Sequence, residues 1–148
     1  MWYAYLVGFG YAIIIGHLLI NPIVWLKRQI VQPSRRLREH EWQAITTGLI
    51  ERALFVTALL MGYASFIGFW VALKIAVRWR EWEDHREYFM NVVNANGLSI
   101  LFAAVGYKMI DWIKLKQWFY AATVPILLIL GSALLFYYLE KIYKKSSK

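Results

Sequence analysis

Among the ionisable residues at or near the ends of the long apolar stretches of this 148-residue chain are Glu51, Arg52, Lys74, Arg78, Glu87, Lys108, Asp111 and Glu140. Charge at membrane depth is costly, so such residues are the first candidates for handling an ion or a substrate, although near helix ends they serve equally well as anchors. Glu51 and Arg52 open one apolar run and Lys74 lies near its far end. At about 1.5 Å per helical residue the two ends are roughly 34 Å apart, so they are not expected to meet within one chain. An antiparallel bundle predicts crossed pairs instead, Glu51 with Lys108 and Arg52 with Asp111, with Lys74 and Arg78 level with Glu140 and Glu87. Such pairs either lock the bundle at its two interfaces or serve a substrate or ion.

Asn91, Asn94 and Asn96 cluster at the start of another apolar run. On a helix, Asn94, Gly97, Leu101, Ala104 and Lys108 follow one another at steps of three and four and share one face. That face either lines a narrow polar path or carries ordinary helix-capping asparagines. His17 lies deep in the first apolar run and either relays a proton or packs. With His17, His40 and His85 scattered and no cysteine present, a metal site, a disulfide framework and a cysteine nucleophile are not expected. No cofactor and no catalytic set is expected either.

These residues must be held by helices that lie in lipid. The chain is 60% apolar and 18% charged, against about 45 to 50% and about 25% for a soluble domain. Four stretches carry no Asp, Glu, Lys or Arg: 1–26, 53–73, 88–107 and 117–139. A bilayer core of about 30 Å needs about 20 apolar helical residues, because no unpaired backbone group can face lipid. All four runs meet that length, and together they take up 90 of the 148 residues. The fold expected is an all-α membrane protein, one domain over 1–148, with four transmembrane helices in an antiparallel bundle. The spans are placed at about 2–26, 50–77, 88–112 and 117–140. The first run lacks the basic start and small-residue cleavage site of a signal peptide and is read as a retained helix, bent at Pro22. Trp2, Trp25, Trp79, Trp82, Trp112 and Trp118 fall near predicted helix ends, where indole prefers to lie.

Between the first two spans runs a basic loop, 27–48. Ser34 is suited to cap a short helix there, and the cluster over 27–38 suits anionic lipid headgroups. No stacking motif or recognition fold accompanies it, so nucleic acid is not an expected partner. Four spans would divide the Lys and Arg residues nine to eight between the two faces, which leaves the orientation of the chain undetermined.

Helix association in lipid relies on small residues that let backbones approach. The first span carries Gly8, Ala12 and Gly16. The second carries Ala64, Gly68, Ala72 and Ala76, and the third Ala95, Ser99 and Ala103. Such stripes serve a monomeric bundle and a homo-oligomer alike.

From Gly48 to Ser99 the chain resembles a family of small multi-span bacterial membrane proteins that carry a domain of unknown function. The residues that carry the resemblance are Gly48, Glu51 and Arg52, then Ile67, Gly68, Phe69, Ala72 and Lys74, then Arg78 and Trp79, and finally Glu87 and Tyr88. It covers about a third of the chain and departs from the family pattern at the asparagine-rich stretch. It implies a multi-pass protein of the bacterial cytoplasmic membrane and names no activity. The functional expectation is a non-enzymatic membrane protein that acts by self-assembly or as a partner subunit, with a small homo-oligomeric pore as one form. A small proton- or ion-coupled transporter is the alternative, and a lipid-modifying enzyme a more remote one.

Overall fold

In the computed structural model the described residues are 1–31, 41–77, 79 and 86–146. Arg78 and residues 32–40 of the basic loop, including Ser34, lie outside them, as do the side chains of Glu87 and Asn91. The described part is helical throughout apart from its turns. Helix α1 (Trp2–Gly10) passes through a π-helical turn (Tyr11–Ile15) into α2 (Gly16–Val31), so the three pieces form one continuous rod. Then follow α3 (Glu41–Leu60), α4 (Ala64–Val77), α5 (Arg86–Lys114) and α6 (Trp118–Ser146). Pro22 lies within α2, and Pro125 within α6.

Among the described residues two stretches are long and apolar enough to cross a membrane, Trp2–Lys27 and Trp118–Lys144. Helix α5 packs against both of them, which also touch each other, and along α3. At 29 residues it is about 43 Å long, but its asparagines, Lys108 and Asp111 make it more polar than its two neighbours. The core forms around it, with Phe102 and Ile110 of α5 and Phe55 and Val56 of α3 fully enclosed.

The expected second span, 50–77, is not one helix. It breaks at Met61, Gly62 and Tyr63 and folds back, so that α4 runs antiparallel to α3. The break is a glycine C-cap. Gly62 takes a left-handed φ of +79°, its N–H donates to the Leu59 carbonyl at 3.1 Å, and the Tyr63 N–H donates to the Ala58 carbonyl at 2.8 Å. This is the Schellman pattern, which satisfies helix-end carbonyls without a side-chain cap. The same pattern ends α5. There Lys116 has φ 58°, its N–H reaches the Ile113 carbonyl at 3.2 Å, and the Gln117 N–H reaches the Trp112 carbonyl at 2.7 Å. Absence of charge marked residues 53–73 as apolar, but it carried no information about a glycine placed to end a helix.

The small residues of the first span make the closest helix crossing. A Cβ on Gly8 would lie 2.5 Å from the Gly106 carbonyl oxygen, and a Cβ on Gly106 would lie 2.6 Å from the Gly8 carbonyl oxygen. Gly8, Ala12 and Gly16 are all buried, as are Ser99 and Ala103 on α5. The stripe on α4 behaves differently. Ala64, Gly68, Ala72 and Ala76 are exposed, and a Cβ on Gly68 would meet nothing within 4 Å.

Candidate functional site

Glu51 and Arg52 are adjacent on α3 and therefore point about 100° apart around the helix. Each is only 3% exposed, and each serves a different neighbour. Glu51 faces α4. Its Oε1 accepts from the Trp70 indole N–H at 3.0 Å and from Lys74 Nζ at 2.7 Å, and its Oε2 accepts from the same Nζ at 3.0 Å. Trp70 and Lys74 are four residues apart on α4 and so share a face. Lys74 Nζ also donates to Asn96 Oδ1 on α5 at 2.8 Å. An ammonium has three N–H donors, and three acceptor atoms surround this one.

Arg52 faces α5 and the first rod at Gly16, just after the π-turn. Its Nη1 donates to Ser99 Oγ at 3.4 Å. Gly16 and Gly48 shape the slot in which it lies: a Cβ on Gly16 would be 3.1 Å from Arg52 Cδ, and one on Gly48 would be 3.5 Å from Nη1. Arg52 Nε is buried without a hydrogen-bond partner among the described residues, and so is His17 Nδ1. The other ring nitrogen of His17 lies 3.3 Å from Asn21 Nδ2, one turn away. One buried carboxylate and two cations leave this cluster with one positive charge in excess.

The cluster sits near the middle of the bundle. Gly16, which Arg52 and Phe102 touch, is 14 residues beyond Trp2 and 11 before Lys27, or roughly 21 Å and 17 Å along the helix.

The ion pairs expected from sequence are therefore replaced. Glu51 meets Lys74 rather than Lys108, because the fold-back at Gly62 brings the two ends of the apolar run to one depth. Asp111 pairs with Lys108 at 3.7 Å on the same helix rather than with Arg52, and Glu140 pairs with Lys144 at 2.6 Å, also within one helix. The asparagine face divides as well. Asn94, Gly97, Leu101 and Lys108 are exposed on the outside of α5, whereas Asn96 is buried in the cluster. Trp70 and Ser99 belong to the site and were not singled out for it. The signals for them were present, since Trp70 lies one turn before Lys74 and Ser99 lies three residues after Asn96.

Among the described residues no group of three or more His, Asp and Glu side chains could hold a metal ion. The chemistry the arrangement offers is ionic and hydrogen-bonding: a saturated lysine–glutamate pair shared by three helices, beside an arginine with donors to spare. Comparison with known proteins finds no matching family model, no matching curated protein and no matching solved structure.

Proposed function

We propose that this chain is a multi-pass integral membrane protein, a subunit that works by self-assembly through the outer face of α4. The observation that carries the reading is where polarity lies. Glu51 and Arg52 are 3% exposed, while Leu127 and Leu134 on α6 are 66% and 69% exposed. A water-soluble fold keeps charge outside and extended leucine surface inside. The reverse arrangement suits a bundle whose solvent is hydrocarbon.

Self-assembly is supported by α4. Only Ile67 is buried among its fourteen residues, and Ala64, Gly68, Ala72 and Ala76 leave a smooth, unoccupied surface. In lipid, close helix association depends on such surfaces. The resemblance over residues 48–99 to small multi-span bacterial membrane proteins supports the same reading, with the bacterial cytoplasmic membrane as its setting. Cross-linking in native membranes tests the reading. A defined oligomer is expected, and Gly68→Leu is expected to abolish it while leaving the folded monomer intact. Monomer alone in the unsubstituted protein, with no partner recovered, would count against it.

The buried charges favour a second reading, a small ion- or proton-coupled transporter with Glu51, Lys74, Asn96 and Arg52 as its mid-depth site. Flux into liposomes that depends on Glu51 and Lys74 is the expected sign. Flux unchanged by Glu51→Gln would remove the cluster from transport.

A further inference from the structure

We infer that α1 and α6 begin on the outer face of the membrane, and that the opposite, basic end of the bundle rests against the anionic inner leaflet. The inference rests on the membrane reading above and adds an orientation that the sequence alone leaves open.

Contacts along the helices fix their directions. Tyr5 Oη lies 2.6 Å from Lys114 Nζ, Gly8 meets Gly106, and Gly16 meets Phe102. Helix α5 therefore runs antiparallel to the first rod. Arg52 meets Ser99, and Phe55, Val56 and Ala58 share a core cluster with Ala4, Ile113 and Ala121, so α3 runs in the same direction as α5. Lys74 lies level with Glu51, so α4 returns. Tyr11 Oη donates to the Pro125 carbonyl oxygen at 3.4 Å, and the Trp112 and Tyr120 rings lie 6.2 Å apart, so α6 starts where α5 ends. One end of the bundle thus holds Trp2, the Gly62 turn and the 115–117 turn. The other holds the end of α2, the start of α3, the end of α4, the start of α5 and the end of α6.

This arrangement re-sorts the charges. At the first end are Lys108, Lys114 and Lys116. At the second, the helices carry Lys27, Arg28, Arg86, Lys141, Lys144 and Lys145, and the sequence that joins or extends those helix ends carries Arg35, Arg36, Arg38, Arg78, Arg80 and Lys148. Arg52 and Lys74 are internal to the cluster. The near tie of a four-span chain becomes twelve against three. The reason is the hairpin: both of its outer ends emerge on one face, whether it crosses the bilayer completely or re-enters. Loops rich in Lys and Arg stay on the cytoplasmic side, where anionic lipid also attracts them.

The chain has no cysteine, so single cysteines can report on sides. Gln43→Cys, Gln117→Cys and Lys141→Cys are all at exposed positions. In right-side-out vesicles of a bacterial membrane, an impermeant maleimide is expected to label Gln117→Cys several-fold more than the other two, with the difference lost on permeabilisation. Four simple spans would instead put positions 43 and 117 on one face and 141 on the other. That pattern, or equal labelling from both sides, overturns the inference. Carbonate extraction separates membrane insertion from orientation: release of the unsubstituted protein into the soluble fraction refutes the membrane reading itself, whereas retention with the four-span labelling pattern refutes only the orientation.

Discussion

Breaking the Glu51–Lys74 pair from one side should be much more damaging than removing it from both. Glu51→Gln keeps the side-chain shape and the bond from Trp70, but it removes the charge and sets an amide N–H₂ or a single oxygen against an ammonium that held both carboxylate oxygens at 2.7 and 3.0 Å. The gross attraction of unit charges 2.7 Å apart is about 6 kcal/mol at an effective dielectric of about 20. Desolvation offsets part of it, and loss of one partner of a buried pair costs about 3–5 kcal/mol. A lysine stranded by Glu51→Gln keeps the Asn96 acceptor at 2.8 Å and an amide oxygen, whereas a glutamate stranded by Lys74→Met keeps the Trp70 donor alone among the described residues. Glu51→Gln is therefore expected to cost about 3 kcal/mol, and Lys74→Met about 4–5 kcal/mol. The double variant leaves no stranded charge and is expected to cost about 2 kcal/mol or less. Thermal unfolding in one detergent, followed by the fraction that remains monodisperse, reads all four proteins. The coupling expected, the sum of the single costs less that of the double, is about 5 kcal/mol or more. Effects of the two single substitutions that add to within about 0.5 kcal/mol would refute the pairing, and with it the fold-back that makes the pairing possible.

Four further outcomes follow from the helix ends, the Gly8–Gly106 crossing and the buried cluster. Gly62→Ala is expected to lower stability by about 1–2 kcal/mol through its left-handed backbone alone, since a Cβ there meets nothing within 4 Å. Lys116→Gly, at φ 58°, is expected to raise stability by up to about 1 kcal/mol, so thermal shifts of opposite sign check both Schellman turns. Gly106→Leu is expected to deplete folded protein, because a Cβ would already lie 2.6 Å from the Gly8 carbonyl oxygen; the yield of monodisperse protein reads this. Trp70→Phe keeps an aromatic ring but loses the indole donor to Glu51, at a cost of about 1.5–3 kcal/mol in the same melting assay.

The helical class and the two helices long and apolar enough to cross a membrane could be read from the sequence because both depend on composition over some twenty residues. The ion pairs could not, because they depend on one residue. Gly62 sits inside a run that contains no charge, and nothing in hydropathy separates a glycine that packs from one that ends a helix. Its left-handed conformation moves Lys74 from the far end of a span to a position beside Glu51. The exchange of Lys108 and Asp111 into a local pair follows from the same shift. Small-residue spacing was informative for Gly8, Ala12 and Gly16, which do pack. The identical spacing on α4 faces outward, since a stripe specifies a smooth surface and leaves open what lies against it. Trp70 could have been found from its four-residue step to Lys74, but an indole inside an apolar run is also what a packed helix contains.

Helix α4 is held to the bundle in an unusual balance. It buries Ile67, with Phe66 and Trp70 partly packed against the core, so its apolar grip is small. Its polar grip is large, through the three Lys74 contacts and the Trp70 donor. If the bundle lies in lipid, as proposed, the apolar surface α4 exposes would cost little and a stranded Lys74 or Glu51 would be expensive, so the position of α4 would be set mainly by the cluster. The face that carries Gly68 is then presented in one orientation only while Lys74 remains bonded to Glu51 and Asn96. Self-association through that face and integrity of the buried pair should consequently be linked. Glu51→Gln, although no part of the outer face, is expected to weaken the oligomer in cross-linking, and the Glu51→Gln/Lys74→Met double variant is expected to restore part of it. An oligomer unaffected by Glu51→Gln but abolished by Gly68→Leu would show that α4 keeps its place without the pair, and the cluster would then have to be explained by something other than assembly.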